Sequence, residues 1–276
     1  MVLGASGMLG HRMVEVLATA GVDVTACLRL RPKGWDPPAR ILEGVDVRDR
    51  DSWSSALSAT SPDAVVNCAG IVKQRKADRS EKVAVNAMFP HDLAAACRKF
   101  QVRLIHISTD CVFSGRKGMR KEHDDADPVD EYGMSKFLGE PTLPEVLTLR
   151  TSMVGLELTV PTSGLIEWAL AATRPLSGFT RAYFSGLTTT AISNIVLQEI
   201  RSLDPRKGLY HLAAQRISKF DLLSLVLPDA VISPDDSVVI DRSLDGRAWL
   251  ADGGSRIPTW EHMTAELRAE IAVRQR

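Results

Sequence analysis

The sequence opens with Met1-Val2-Leu3-Gly4-Ala5-Ser6-Gly7-Met8-Leu9-Gly10, a short apolar segment that leads into three regularly spaced glycines. This spacing is typical of a strand, a tight turn at Gly4 and a helix that packs closely on the strand through Gly10, while Gly7 leaves room for a pyrophosphate. The helix N-terminus would bind that anion through its free N–H groups and its dipole. Three glycines alone are also compatible with an ordinary surface turn.

The residues that follow favour the dinucleotide-binding interpretation. Apolar residues recur at helical spacing between Met8 and Ala20, Gly21 ends the run, and Val22 to Leu28 forms a second apolar stretch. The chain therefore predicts strand, turn, helix and strand. Only Met1 to Leu3 precede Gly4, whereas buried strands usually contain about five or six residues, so we expect the sequence to be clipped at its start.

The end of the second predicted strand bears on the choice of cofactor. A fold that prefers NAD places an acidic residue there, which accepts hydrogen bonds from the adenosine ribose. This chain has Arg29 instead, with Arg31 and Lys33 close behind it. Because a guanidinium pairs with a 2′-phosphate, we expect NADPH to be preferred, with NAD as a possible substitute. The alternative is that Arg29 is an exposed residue that leaves the enzyme indifferent.

A third strand is predicted over Ile41 to Val47. Its end, Asp46-Val47, would then lie near the adenine ring of a bound dinucleotide. Asp46 is equally compatible with a turn or a helix start.

Composition bounds the function before any further motif is used. The 276 residues are 45% hydrophobic and contain 34 basic and 34 acidic residues, a balance that argues against a nucleic-acid or membrane-surface partner. The four cysteines have no paired metal-binding or redox spacing and fit a reducing compartment. With no secretory leader and no apolar run of membrane-spanning length, we predict a cytoplasmic protein without a metal site.

Helices and strands alternate along the chain. We predict a helix over Ser52 to Ala59, a strand over Ala64 to Asn67, a helix over Glu81 to Phe100 and a strand over Val102 to Ser108. This alternation predicts an α/β fold of the Rossmann type, a doubly wound parallel sheet whose ligands lie beyond the carboxyl ends of the strands. Asn86, among apolar neighbours in the long helix, is predicted to be a buried brace.

Catalytic residues are expected at the end of the Val102 to Ser108 strand and on the helix that follows it. Tyr132 and Lys136 are four residues apart and share a helix face, where an ammonium would lower the pKa of the phenol. Thr109 could hydrogen-bond the same substrate oxygen. A Tyr and a Lys at this spacing are usually only an amphipathic face, but their occurrence with the glycine turn and Thr109 favours a carbonyl reductase.

These motifs resemble the extended short-chain dehydrogenase/reductases, and most closely the dTDP-4-dehydrorhamnose reductase group. The resemblance extends through Leu149-Arg150-Thr151-Ser152, Gly208 to Leu212 and Asp241 to Asp245. It implies that Thr109, Tyr132 and Lys136 are catalytic and that Lys136 also holds the nicotinamide ribose. The candidate cofactor-binding residues are Gly4, Ser6, Gly7, Met8, Leu9, Gly10, Arg29, Asp46, Val47, Cys68, Ala69, Gly70, Tyr132 and Lys136.

The resemblance also implies a smaller C-terminal lobe for a nucleotide sugar. We expect residues 1–152 and 186–212 to bind the dinucleotide, and residues 153–185 and 213–276 to bind the substrate, with a homodimer left open. Arg181 and Arg242 are candidates for the substrate diphosphate, although solvated surface arginines are equally compatible with the sequence. The candidate substrate-binding residues are Asp110, Cys111, Val112, Arg181 and Arg242.

The expected reaction is NAD(P)H-dependent reduction of a 4-keto-6-deoxy sugar nucleotide in deoxysugar biosynthesis. A non-catalytic NADP-binding regulatory subunit and a sugar-nucleotide epimerase/reductase are the alternatives. Dehydration is disfavoured, because Asp110 is followed by Cys111 where the family's dehydratases carry a glutamate. Cys111 lies where related epimerase-reductases have a catalytic cysteine, but we interpret it as a packing residue because the stretch from Tyr132 to Ser185 contains no histidine partner. The segment Ile71 to Gln74 differs from the rhamnose enzyme, which leaves the sugar and its nucleotide open.

Overall fold

Parallel strands form the centre of the protein in this computed structural model, which describes residues 1–158, 162, 164–172 and 175–275. The strands are β1 (Val2–Leu3), β2 (Thr25–Cys27), β3 (Arg40–Leu42), β4 (Ala64–Asn67), β5 (Arg103–Thr109), β6 (Leu147–Thr151), β7 (Met153–Val154), β8 (Leu176–Phe179), β9 (Ala182–Phe184), β10 (Leu187–Thr188), β11 (Gly208–His211), β12 (Ile217–Ser218), β13 (Ile232–Asp235) and β14 (Ile240–Asp241). Seven of them form one sheet in the order β11-β6-β5-β4-β1-β2-β3, and every neighbouring pair is parallel. The strand order reverses beside β1, where sheets of this kind bind their ligands.

Helices cover both faces of this sheet. They are α1 (Met8–Thr19), α2 (Arg50–Thr60), α3 (Arg79–Lys82), α4 (Phe89–Lys99), α5 (Glu131–Leu138), α6 (Leu165–Ala171), α7 (Thr189–Arg201), α8 (Lys219–Val226), α9 (Arg247–Ala251) and α10 (Trp260–Arg274). The α/β fold with a doubly wound parallel sheet is therefore confirmed. In the part of the chain that the structure describes, none of these helices has the length and apolar character needed to cross a membrane.

Two predicted strands are shorter than the sequence suggested. The second was predicted over Val22 to Leu28 but spans only Thr25–Cys27. The third was predicted to reach Val47 but ends at Leu42, because Gly44 adopts a φ of +79° and the chain turns there. Asp46 and Val47 consequently lie in the loop that precedes α2, not in a strand.

The long helix predicted over Glu81 to Phe100 is present but not uniform. It begins at α3, where the side chain of Asp78 accepts a hydrogen bond of 2.7 Å from the Glu81 amide. The segment Val83–Met88 is π-helical, and α4 continues from it directly. Asn86 lies within this wider turn, and such turns in other proteins often accompany functional sites.

The sheet is buried on both faces, as β1 illustrates. Val2 and Leu3 are both buried, and because successive side chains of a strand point to opposite faces, they belong to two different apolar clusters. Val2 packs in a cluster that extends through α1 and α7 to α10, where Trp260 and Met263 are buried. The C-terminal helix thus shares a core with the first strand.

The C-terminal half adds smaller sheets at the carboxyl edge. Strand β9 pairs with β12 in the antiparallel sense and with β14 in the parallel sense. The loop after β5 packs on β14: the Asp241 amide donates to the Gly115 carbonyl at 2.7 Å, and the Met119 amide donates to the Ser243 hydroxyl at 2.9 Å. These contacts place residues of the C-terminal half beside the end of β5.

We expect Gly10→Ala to lower the free energy of unfolding by about 1–3 kcal/mol, because its Cβ would lie 2.1 Å from the Gly4 carbonyl oxygen. Gly70→Ala is the matched control, since its Cβ would make only an ordinary contact of 3.6 Å with Asn86 Oδ1. The control should change stability by at most about 1 kcal/mol. Urea denaturation measures both variants, and equal losses would contradict the packing argument for Gly10.

Candidate active site

The glycine turn joins β1 to α1 with the geometry that the sequence predicts. Gly4 has a φ of +75°, and a Cβ on it would lie 2.7 Å from the backbone of Ala69. Gly10 allows α1 to approach the Gly4 carbonyl, which its own Cβ would obstruct. Gly7 is the N-cap residue of α1, and the helix has no side-chain cap. The first amides of α1 therefore lack intrahelical acceptors and suit an anion.

The loop after β4 closes the other side of this turn. The Asn67 side chain is fully buried, accepts a hydrogen bond from the Ala69 amide at 3.1 Å and contacts His106 Nδ1 at 3.1 Å. These contacts hold Cys68, Ala69 and Gly70 against Gly4. The predicted cofactor-binding segments at the ends of β1 and β4 are thus neighbours.

Asn86 braces this loop to α5, as the sequence predicts. It is fully buried; its Oδ1 accepts from the Ile71 amide at 2.8 Å, and its Nδ2 donates to the Ile71 carbonyl at 2.9 Å and to the Ser135 hydroxyl at 3.1 Å. One side chain therefore links the loop after β4 to α5. The sequence indicated burial but not these partners.

The basic residues after β2 differ in whether their side chains have ion-pair partners. Arg29 is exposed and has no ion-pair partner among the described residues. Arg31 donates to the Trp35 carbonyl at 2.8 Å and pairs with Asp36. Arg31 therefore adds less positive potential than the sequence suggested, and Arg29 is the better candidate for a phosphate.

Asp46 is a turn residue, which is one of the alternatives that the sequence left open. Its carboxylate accepts from the backbone amide of Arg48 at 3.0 Å and pairs with the Arg48 guanidinium at 2.6 Å, as in a turn. These bonds, led by the Arg48 side chain, lower the pKa of Asp46. Arg48 also pairs with Glu81 at 2.6 Å, which ties this loop to α3.

Thr109 and Tyr132 meet at the carboxyl edge of the sheet. Thr109 is the last residue of β5, and Tyr132 lies on α5, whose first turn is capped by Asp130 through a 2.8 Å bond from the Gly133 amide. The Thr109 hydroxyl is close enough to the Tyr132 phenol to oppose the rise of its pKa, and it accepts from the Cys111 amide at 3.2 Å. A carbonyl oxygen placed between the two hydroxyls would contact both.

The predicted lowering of the Tyr132 pKa is not the net direction in this structure. Burial raises the pKa of Tyr132 above its ordinary value, and Cys111 and Asp110 act in the same direction. Lys136 is itself buried, and its ammonium donates to the Ile107 carbonyl at 2.8 Å. Desolvation lowers the pKa of Lys136 to about 8. Tyr132 therefore keeps its proton at neutral pH.

A buried ion pair fixes the strand end beneath these residues. Arg150 on β6 donates to both oxygens of Glu140, at 2.8 and 2.7 Å, and the Ser108 hydroxyl donates to the same carboxylate at 2.6 Å. Since Ser108 precedes Thr109, the pair anchors the backbone that carries the Thr109 hydroxyl. Bidentate contacts of this kind are geometrically specific.

The predicted substrate residues are not all brought together. Asp110 is buried beside Arg242, whose Nε donates to the Phe113 carbonyl at 3.3 Å. Val112, in contrast, is fully buried against Phe113 in a small apolar cluster, so its predicted contact with substrate is not supported. Arg181 is exposed. Within the described residues, no contact joins its side chain to Asp110 or Arg242.

Cys111 is half-buried beside Asp110. Burial and the nearby Asp110 raise the pKa of the thiol to about 12. A thiol with this pKa is protonated at neutral pH and is a poor acid–base catalyst. The packing interpretation of Cys111 stays a prediction.

Sequence reasoning missed one charged residue. Lys219, the first residue of α8, places its ammonium 4.1 Å from the centroid of the Phe184 ring and close enough to Asp110 to influence its pKa. The sequence Ser218-Lys219-Phe220-Asp221 predicts a helix start, but nothing local in it shows that Lys219 faces β5.

We expect Lys136 to make stability depend on pH. Its pKa is about 8 in the folded protein and 10.5 ordinarily, so the unfolded chain binds more protons between these values and the free energy of unfolding rises with pH. Relative to Lys136→Met, the wild type should gain about 2 kcal/mol between pH 8 and pH 10. Urea denaturation across this range measures the gain. Lys207→Met, at an exposed lysine, is the control, and a constant difference between wild type and Lys136→Met would contradict the pKa assignment.

Comparison with known proteins identifies relatives of this chain. The family described as the RmlD substrate binding domain matches residues 1–245. A probable low-salt glycan biosynthesis reductase, Agl14 of Haloferax volcanii, is 32% identical over 226 residues, which cover 78% of this chain and 74% of that protein. A dTDP-4-keto-6-deoxy-D-glucose reductase of Streptomyces niveus is 32% identical over 152 residues, 53% of this chain and 48% of its own length.

A solved structure has the same fold at lower identity. The dTDP-4-dehydrorhamnose reductase of Bacillus anthracis, solved in complex with NADP, superposes with a TM-score of 0.77 at 19% identity over 98% of each chain. The chain spans about half the length of the Streptomyces relative and nearly all of the Bacillus structure. The resemblance found in the motifs is confirmed at the level of family and fold.

Proposed function

The chain belongs to the RmlD substrate binding domain family, and from this we propose that it reduces the keto group of a nucleotide-activated 4-keto-6-deoxy sugar. The observation that carries the proposal is the placement of Thr109 at the end of β5 close to Tyr132 on α5, with Lys136 on the same helix face. The Streptomyces and Bacillus relatives are named for reduction of such sugars.

The residues around the glycine turn fit a dinucleotide. Side chains on Gly4 or Gly10 would fill the turn, and α1 begins without a side-chain cap, so backbone amides are left for a pyrophosphate. Residues 4–10 and 68–70 would hold it, and Lys136 would contact the nicotinamide ribose. When bound, the nicotinamide supplies a hydride to the carbonyl carbon.

Tyr132 supplies the proton in this proposal. Thr109 and Tyr132 orient the substrate oxygen, and the phenol transfers its proton to that oxygen as the carbon accepts hydride, which converts the ketone to an alcohol. A phenol whose pKa is raised holds its proton at neutral pH, as a proton donor must. The ammonium of Lys136, one helical turn away, would offset the negative charge left on the phenolate.

The smaller sheet at the carboxyl edge supports the proposed division of the chain. We assign residues 1–152 and 186–212 to dinucleotide binding, since β11 pairs with β6 in the central sheet. We assign 153–185 and 213–276 to substrate binding, because β9, β12 and β14 carry Lys219 and Arg242 toward Asp110. Residues 159–161, 163, 173, 174 and 276 of this lobe lie outside the described residues. Four free cysteines fit a cytoplasmic location, and a homodimer stays a prediction.

Substrate-dependent oxidation of NADPH should occur with at least one member of a panel of 4-keto-6-deoxy sugar nucleotides. Tyr132→Phe should lower kcat by about 10²- to 10⁴-fold while cofactor binding is retained, because only the donated proton is lost. Tyr210→Phe is the matched control, since its hydroxyl contacts Asp252 away from the site. Binding of cofactor without turnover of any substrate by the wild type would establish the non-catalytic alternative.

NADPH should be preferred over NADH by about ten- to a hundredfold in kcat/KM, because Arg29 is free to pair with a 2′-phosphate. Arg29→Asp should reverse the preference by repelling the phosphate and accepting bonds from the ribose. Arg256→Asp, at an exposed arginine between α9 and α10, is the control for charge alone. Equal efficiencies with both cofactors in the wild type would exclude Arg29 as a phosphate contact.

A further inference from the structure

Two side chains from α5 and the residues just after it bond to consecutive residues of β5. The Lys136 ammonium donates to the Ile107 carbonyl at 2.8 Å, and the Ser108 hydroxyl donates to the Glu140 carboxylate at 2.6 Å. Lys136 and Ser108 are both buried. Because these two bonds join the same two elements at points four residues apart on α5, they restrict both sliding and rotation of α5 against β5. We call the two bonds the α5–β5 clamp.

Glu140 is held from two further directions. Arg150 donates to both oxygens of its carboxylate, at 2.8 and 2.7 Å, and Arg150 is the register partner of Ser108 on the adjacent strand β6. Gly139, the C-cap residue of α5, lies so close to the Asn86 carbonyl that a Cβ on it would be 1.8 Å from that oxygen. Both carboxylate oxygens therefore have partners, and a fully satisfied network of this kind rigidifies the groups that it joins.

The clamp is next to both reacting hydroxyls. Thr109 follows Ser108 directly in β5, and Tyr132 lies one helical turn before Lys136 on α5. A shift of α5 along β5 would therefore change the separation between the Thr109 and Tyr132 hydroxyls. A misplacement of about 1 Å between reacting groups can lower a rate by about 100-fold.

The carboxylate of Glu140 also acts on Lys136 through its charge. The ionisable groups that influence the Lys136 ammonium are Glu140, Cys68 in the loop after β4 and His106 on β5. Burial raises the pKa of Cys68 to about 12 and lowers the pKa of His106 well below its ordinary value, so both are uncharged at neutral pH. Glu140 is the charged member of this set, and it raises the pKa of Lys136 against the larger effect of burial.

We propose that Glu140, oriented by Arg150, is a positioning residue that holds α5 against β5 at the separation where Thr109 and Tyr132 both reach the keto oxygen. Its negative charge also stabilises the ammonium of Lys136. This inference rests on the proposed function, because it assumes that Thr109 and Tyr132 act on the substrate. Glu140 itself contacts neither substrate nor cofactor and acts through the two elements that it joins.

Ser108→Ala tests the geometric role, since it removes one bond of the clamp and leaves the pair of Glu140 and Arg150 in place. We expect kcat to fall by about 10-fold, because the two reacting hydroxyls are no longer held at one separation. The KM for NADPH should change little, since the glycine turn is untouched. Ser193→Ala is the matched control: it also removes a fully buried serine hydroxyl, which donates to the Thr189 carbonyl at 2.8 Å, and it should leave kcat unchanged.

Glu140→Gln tests the electrostatic role, since it keeps an oxygen that accepts hydrogen bonds but removes the charge. The pKa of Lys136 should fall below its wild-type value of about 8, so that the ammonium is lost at a lower pH. The alkaline limb of the kcat profile should therefore shift to lower pH. Glu199→Gln is the matched control, because Glu199 is also buried and paired with two arginines, Arg103 and Arg206, and it should leave that limb in place.

The outcomes separate this inference from the proposed function. An unchanged kcat in Ser108→Ala, or an equal loss in Ser193→Ala, would overturn the positioning role while the reductase stands. An alkaline limb that stays in place in Glu140→Gln, or moves equally in Glu199→Gln, would overturn the electrostatic role. Thermal unfolding checks each variant; if the buried Arg150 left by Glu140→Gln prevents folding, Ser108→Ala alone decides the inference. A wild type that reduces no sugar nucleotide would overturn the reductase and the inference together.

Discussion

The architecture of the site depends on how closely three backbone segments approach one another at Gly4. Its carbonyl faces Gly10 on α1, and its Cα faces Ala69 in the loop after β4. No side chain separates these segments, so the ends of β1 and β4 and the start of α1 form one continuous backbone surface. Asn67 accepts a hydrogen bond from Ala69 in the loop after β4, and Asn86 links Ile71 of the same loop to Ser135 on α5.

Local sequence patterns were sufficient to predict most of the fold. Hydrophobic alternation and the glycine spacing were sufficient for the parallel sheet, because each parallel strand needs a crossover whose helix has its own period. The pattern failed at Val47, where an apolar residue after a turn resembles a continuing strand and only the φ of Gly44 ends it. The end of a strand depends on a single dihedral angle, and the hydrophobic periodicity of the sequence carries no information about that angle.

The candidate site was predictable only where its residues are close in sequence or follow a known motif. Tyr132 and Lys136 share a helix face, which their spacing specifies, but the direction of the Tyr132 pKa depends on burial by the rest of the chain. Lys219 could not be found at all, since its place in the fold depends on the pairing of β12 with β9. Val112 lies in a small apolar cluster, which its adjacency to Asp110 in sequence does not indicate.

The π-helical turn at Val83–Met88 also sets the rotational phase of the helix it interrupts. A π turn accommodates one more residue than an α turn, so side chains before and after it are out of phase by about 100° relative to a regular helix. This offset lets Glu81 face Arg48 while Asn86 faces Ile71 and Ser135. Loss of one residue from this turn would restore the phase of a regular helix and turn one of these two faces away, so the number of residues here is constrained as well as their type.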